Sequence, residues 1–267
     1  MMGNDEKMSY TNVLNSRKAD ISVFYKAVGN LKLPLQVFLP DNFDKRNKYK
    51  TVIAIHGGAW QSFKETPVNW DGGCMADNVK YYTEKGYVGI VFSYRDLKYE
   101  KNSDVGDILE DCYDALQYIS TNFSFLDRDN VVFMGDSAGG HLVLCLSMGL
   151  PDGKKPAIKP NKIAVFNPVT DCVIEKWNYC AEDAIKYSPM HNAKYMEADI
   201  LVMHGTADTV VNIEDSRLFV EKLKSLGNNV SMIEIPNASH AFILFGYISE
   251  ETDVLNALKL TDDYLDL

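Results

Sequence analysis

Six short, nearly continuous apolar runs recur along the chain: Thr51–Ile55, Val88–Tyr94, Val131–Met134, Lys162–Phe166, Ile200–Met203 and Val230–Ile235. A strand wetted on one side alternates apolar and polar residues, so runs this uniform belong to strands covered on both faces. Between them lie stretches with helical spacing. In Asp104–Asn122, residues Ile108, Cys112, Ala115, Leu116 and Ile119 fall on one face, and in Ile213–Leu226 so do Leu218, Phe219 and Leu223. Strands alternating with helices predict an α/β fold built on a mostly parallel, doubly wound sheet. Ahead of this pattern, Ile21–Val28 and Leu31–Leu39 meet at Gly29-Asn30, two residue types that tolerate positive φ, and read as an antiparallel β-hairpin. Two segments break the rhythm. Asn69–Lys85 is a weaker helix, and Asp171–Asp199 is long, aromatic and aperiodic, the character of a lid or substrate wall.

No repeat, low-complexity tract or Gly/Ser linker divides the 267 residues, so a single domain over 1–267 is expected, with 171–199 as a small lid insertion. The formal net charge of −10 repels phosphate backbones and anionic headgroups, and no basic stripe compensates for it; neither a nucleic-acid nor a membrane partner is expected. Met1–Asn15 lacks the apolar stretch of a signal peptide, and no apolar run approaches the ~20 residues that span a bilayer. Cys74, Cys112, Cys145, Cys172 and Cys180 are odd in number and show no CxxC spacing, which suits a reducing cytoplasm. Cys172, Cys180 and His191 lack a second ligand pair at zinc-site spacing, so no metal and no cofactor is expected. Homodimers are common in α/β enzymes, but no stretch of sequence marks an interface.

Chemistry concentrates at Gly135-Asp136-Ser137-Ala138-Gly139, set between the strand Val131–Met134 and an apolar helix that includes Leu142–Leu146. G-x-S-x-G in this context predicts a strained strand-to-helix turn that lifts the serine hydroxyl above the sheet and turns the Ala138 amide toward a forming oxyanion. The plainer alternative is a glycine-rich turn whose serine only caps the helix. A serine nucleophile needs a histidine oriented by a carboxylate, in the chain order Ser, acid, His. His141 lies in the helix directly after the turn and reads as a packed or hydrogen-bonded helix residue. His204 ends a strand and reads as a side chain tying down the neighbouring loop. His240 follows the last strand, at the carboxyl edge where sites in open α/β sheets collect, and is the candidate base. Asp208, just past Ile200–Met203, is the candidate acid. Of its rivals, Asp171 opens the irregular insertion, and Asp215 suits the first turn of a helix, where a carboxylate favours the dipole.

The loop after Thr51–Ile55 reads His56-Gly57-Gly58-Ala59-Trp60, and its glycines allow successive amides to face one point. Gly58 and Ala59, with Ala138, are the candidate oxyanion donors. His56 reads as a brace for this loop, while Trp60 is either core packing or the floor of an acyl pocket.

These stretches resemble the α/β-hydrolase superfamily. Within it they resemble the esterase branch that includes hormone-sensitive-lipase-like esterases, bacterial acetyl esterases and kynurenine formamidases. The resemblance is carried by HGGAW at 56–60, SYRD at 93–96, LEDCYDAL at 109–116, GDSAGGHL at 135–142, HGTADTVV at 204–211 and ASHAF at 238–242. It implies Ser137 as nucleophile, Asp208 as acid, His240 as base, and the Gly58 and Ala59 amides in the oxyanion hole. Ala59-Trp60 stands where hormone-sensitive-lipase-like esterases usually carry a third glycine, which is closer to the formamidases and small bacterial esterases. The short polar stretch before the first strand implies that the large N-terminal cap of the lipase-like group is missing. Ala241 replaces a common glycine after the histidine.

On this basis the expected activity is a serine carboxylesterase acting on small-molecule esters of short acyl groups, acetylated sugars among them. An arylformamidase using the same triad is the alternative. A peptidase-type relative is less favoured, because no propeller or other gating domain fits in the length. A catalytically silent binding module is disfavoured by the complete set of nucleophile, base, acid and oxyanion loop.

Overall fold

The computed structural model describes residues 9–61, 75–98, 100, 102–151, 153–173 and 183–267. In chain order the strands are β1 (Ile21–Val28), β2 (Leu31–Phe38), β3 (Tyr49–Ile55), β4 (Val88–Phe92), β5 (Leu126–Asp136), β6 (Lys162–Phe166), β7 (Asp199–Gly205) and β8 (Val230–Ile235). The helices are α1 (Tyr10–Ser16), α2 (Ala76–Thr83), α3 (Val105–Asn122), α4 (Ala138–Met148), α5 (Ala184–Tyr187), α6 (Ile213–Ser225) and α7 (Glu251–Leu265). All eight strands described join one sheet in the order β1-β2-β4-β3-β5-β6-β7-β8. The hairpin β1–β2 pairs antiparallel, β2 pairs antiparallel with β4, and every pairing from β4 to β8 is parallel. The predicted class and the N-terminal hairpin are both present, with Gly29 at φ 57 in the connecting turn.

Burial on both faces explains the uniform apolar runs. Ile53, Ile55, Phe133, Ile163, Val165 and Val202 point to the layer of α3, α4 and α6. Their alternates Val52, Ala54, Val132, Met134, Ala164, Leu201 and Met203 point to the layer of α2 and α7. The period-2 geometry of a strand therefore feeds two cores from one run. Helix α3 begins at a capping box, in which the Asp104 side chain accepts from the Asp107 amide and Asp107 accepts from the Asp104 amide. Beyond the end of β4, the Arg95 guanidinium grips the fully buried Asp111 of α3 through Nε at 2.7 Å and Nη2 at 2.8 Å. Lys26 of β1 reaches the same carboxylate at 2.7 Å. This ion pair joins the SYRD stretch to the LEDCYDAL helix.

Two details depart from the sequence expectations. Leu218 is half exposed, because α6 buries Asp215, Ser216, Phe219, Val220 and Leu223 instead. Helix α7 buries Val254, Ala257, Leu258, Thr261 and Leu265 against the sheet, a spacing that was readable in the sequence. The weak helix is α2, which follows the undescribed 69–74, and part of the expected lid, 174–182, also lies outside the described residues. Among the described residues no helix is long and apolar enough to cross a membrane.

Candidate active site

Strand β5 lies between β3 and β6 and delivers Ser137 directly to the start of α4. The serine takes φ 52 and ψ −121, conformational strain costing about 1–3 kcal/mol that the surrounding packing must hold. Its amide donates to the Phe166 carbonyl at 2.8 Å. Gly135 and Gly139 are required by contact instead of by φ. A Cβ on Gly139 would sit 2.1 Å from the Ile55 carbonyl oxygen, and one on Gly135 would sit 2.5 Å from the Gly139 carbonyl. The capping alternative fails, since the Ser137 side chain makes no capping hydrogen bond to α4.

That hydroxyl instead lies 2.9 Å from His240 Nε2, and His240 Nδ1 lies 2.7 Å from Asp208 Oδ2. Asp208 sits in the turn after β7 and His240 in the turn after β8, so the parallel strands bring all three to one sheet edge. The other Asp208 oxygen accepts from the amides of Val210 at 2.8 Å and Val211 at 3.0 Å. Burial alone would raise the Asp208 pKa. The N–H groups of His204, His240 and the Val211 amide outweigh that effect and hold the carboxyl well below the usual carboxylate range. The ring, carboxylate and hydroxyl can thus pass a proton from Ser137 to His240 while Asp208 stays ionised.

The 56–60 loop approaches the same turn. Gly57 donates its amide to Asp136 Oδ1 at 2.9 Å, which commits that amide and ties the loop to the Ser137 turn. Gly58, Ala59 and Trp60 run at φ 102, 53 and 59, three successive positive values that curl the backbone. His56 braces the loop: Nδ1 lies 2.8 Å from the Gly57 carbonyl, Nε2 lies 3.2 Å from Ser93 Oγ, and the ring stacks on Tyr94 at 4.4 Å. Trp60 is core packing, fully buried, with Nε1 donating to His141 Nδ1 at 3.3 Å. His141 in turn lies 2.8 Å from the Tyr187 carbonyl through Nε2. Its burial lowers the pKa to about 4, against which the Tyr187 bond works only in part.

Other candidates fall elsewhere. Asp171 pairs with His191 at 3.4 Å, and Cys172 lies beside His141 instead of beside His191. Cys74 and Cys180 lie outside the described residues, as do Trp177 and Tyr179, two of the aromatic side chains that give 171–199 its character of a substrate wall in the sequence. Tyr94 and Phe242 are both buried, Tyr94 donating its hydroxyl to the His56 carbonyl. Ala241, directly after the candidate base, sits at φ 60, so the alanine occupies a conformation suited to glycine. Among the described residues no cluster of three or more His, Cys, Asp or Glu has metal-site geometry. A cavity of about 530 Å³ lies at the opposite, amino-terminal edge of the sheet, lined by residues such as Asn161, Ile163 and Ala198, away from Ser137. Sequence reasoning missed the contact between His204 and Asp208, Nε2 to Oδ2 at 3.2 Å. The two are four residues apart across a strand end and a turn, where no periodicity announces a contact.

The BD-FAE family matches residues 35–155 and the prolyl oligopeptidase family matches residues 163–266. Dipeptidyl-peptidase 5 of Aspergillus fumigatus is 30% identical over 146 residues, 51% of this chain and 19% of that protein. The probable dipeptidyl-peptidase 5 of Aspergillus terreus is 30% identical over 132 residues, 17% of its length. The chain therefore spans about a fifth of the length of these relatives. The uncharacterized protein YfhR of Salmonella typhimurium is 26% identical over 217 residues, covering 76% of this chain and 68% of that one. Among solved structures, a thermophilic esterase of Thermogutta terrifontis, Est2 with propionate bound, superposes at TM-score 0.79 and 26% identity, covering 92% of this chain and 93% of that one. The chain belongs to the α/β-hydrolase superfamily and resembles its esterase and lipase-like members.

Proposed function

We propose that residues 1–267 act as one catalytic unit, a serine esterase that cleaves small acyl esters, acetyl esters foremost. The unbroken path from Ser137 Oγ to His240 at 2.9 Å and on to Asp208 at 2.7 Å carries this reading. Ser137 Oγ attacks the ester carbonyl as its proton passes to His240 Nε2. The amides of Gly58, Ala59 and Ala138 hold the tetrahedral oxyanion. Collapse expels the alcohol, which takes the proton back from His240, and water then clears the acyl-enzyme by the same steps in reverse. A small acyl group is supported by the Thermogutta terrifontis esterase, which was solved with propionate bound. The buried thiols of Cys112, Cys145 and Cys172, none of them in a disulfide, suit a reducing cytoplasm.

A second reading, cleavage of aminoacyl amides, is favoured by the prolyl oligopeptidase match over 163–266, which includes Asp208 and His240. The arylformamidase alternative uses the same three residues. Initial rates of wild type and Ser137→Ala on p-nitrophenyl acetate, p-nitrophenyl octanoate, an acetylated xylo-oligosaccharide, N-formylkynurenine and alanyl p-nitroanilide separate the three. The expected outcome is turnover concentrated on the acetyl esters and lowered by about 10³-fold or more in Ser137→Ala. Equal rates for the two proteins on p-nitrophenyl acetate would remove Ser137 as the nucleophile. Serine-dependent preference for the formamide or the anilide would reassign the substrate class.

A further inference from the structure

His240 is not alone on the Asp208 carboxylate. Oδ2, which accepts from His240 Nδ1, also lies 3.2 Å from His204 Nε2, and neither the His204 nor the Asp208 side chain is exposed to solvent. His204 Nε2 lies 3.1 Å from the Val211 carbonyl oxygen, and Nδ1 lies 2.8 Å from Ser216 Oγ at the start of α6. A carbonyl and a carboxylate can only accept, so Nε2 carries a proton, and Nδ1 is held by the Ser216 hydroxyl. Asp208 accepts from three donors, the Val210 and Val211 amides on Oδ1 and the His240 ring on Oδ2, while His204 Nε2–H, which donates to the Val211 carbonyl, lies 3.2 Å from the same Oδ2.

We infer that His204 is a positioning residue for the proton path from Ser137 through His240, acting through Asp208 without touching substrate. The inference rests on the reading of Ser137 as nucleophile. A buried carboxylate oxygen with one donor is free to tilt about its own side-chain axis. The His204 N–H edge, buried and 3.2 Å away, closes the space into which Oδ2 would tilt from His240, and its positive end stabilises the ionised form that the imidazolium needs. Charged neighbours of this network are Glu234 of β8, the register partner of His204, which pairs with Arg217 of α6, and the buried Asp215 beside Ser216. The competing role is mechanical: His204 ties the 206–211 turn to α6. The two differ in what they do to molecules that remain folded.

Wild type, His204→Leu and His204→Gln are compared on p-nitrophenyl acetate well below each melting temperature, with rates normalised to the folded fraction from near-UV circular dichroism. Leucine removes the donor. The glutamine amide can supply an N–H where Nε2 stood. The expected result is a kcat lowered by about 10- to 100-fold in His204→Leu with KM changed by less than about twofold, and recovery to within about fivefold of wild type in His204→Gln. A leucine variant that melts earlier yet keeps wild-type kcat per folded molecule overturns the inference, as does an equal fall in both variants. Should the leucine variant not fold, Ser216→Ala decides, since it leaves the ring but removes the hydroxyl that anchors Nδ1 and so the direction of Nε2. A kcat loss of about three- to tenfold supports the inference, and an unchanged kcat overturns it. Wild type that takes up no phosphonate adduct on Ser137 marks failure of the nucleophile reading instead, and the positioning role falls with it.

Discussion

Burying His141 as a neutral ring makes the fold sensitive to acid in a window that can be calculated. The ring accepts from Trp60 at one nitrogen and donates to the Tyr187 carbonyl at the other, so protonation must break the Trp60 bond and place a charge in the core. Its pKa falls from the ordinary 6.5 to about 4 in the folded chain. The unfolded chain therefore binds a proton as pH drops through 6.5, whereas the folded chain resists until about 4. Stability is fully present above 6.5 and is lost on the way down, at close to 1.4 kcal/mol per pH unit once well below 6.5. Between pH 8 and 5 the integrated loss from this one ring is about 2 kcal/mol. His56 shifts in the same direction from burial and adds to the slope, so wild type alone does not isolate the effect. The comparison is wild type against His141→Gln, by equilibrium urea unfolding at pH 8 and pH 5. Glutamine cannot titrate, so although the variant is less stable at pH 8, it should lose about 2 kcal/mol less than wild type on acidification. Equal losses in the two proteins would falsify the assignment of His141 as a neutral, buried acceptor.

Two further outcomes follow from the turn around Ser137. Gly139→Ala drives a methyl into the Ile55 carbonyl, where backbone must move, and should lower stability by about 2 kcal/mol or more, read as a drop in melting temperature. Asp208→Asn keeps the shape but loses the charge that fixes the His240 tautomer. Under the proposed mechanism, kcat on p-nitrophenyl acetate falls on the order of 10³- to 10⁴-fold with folding retained.

Much of this architecture can be read from the chain because each strand is covered on both faces. Runs such as Thr51–Ile55 stay apolar throughout, and the positions between them keep helical spacing. The residues gathered at the site were equally legible, since Ser137, Asp208 and His240 each follow a strand that the sheet aligns in parallel. What escaped was of two kinds. Positions set by contact, such as Gly135 and Gly139, look in sequence like positions set by φ, whereas the strained φ belongs to Ser137 itself. Pairings across a turn, such as His204 with Asp208 or Arg95 with Asp111, depend on three-dimensional closure that no local period encodes. Leu218 misled for a related reason: helical spacing identifies a face, but α6 rotates so that Asp215 and Ser216 face inward and Leu218 faces outward.

The three residues of the site hang from unequal supports. Ser137 follows β5, a strand hydrogen-bonded on both sides and bracketed by β3 and β6, whereas His240 follows β8, which among the described residues pairs only with β7, at the rim of the sheet. Strands at a rim detach at lower free-energy cost than strands in the middle. Fraying of β8 would carry the imidazole away while the serine stayed seated on intact backbone. Activity would then fade with rising denaturant before the central strands yield, and would return as soon as the rim re-zips, with no need to rebuild the molecule.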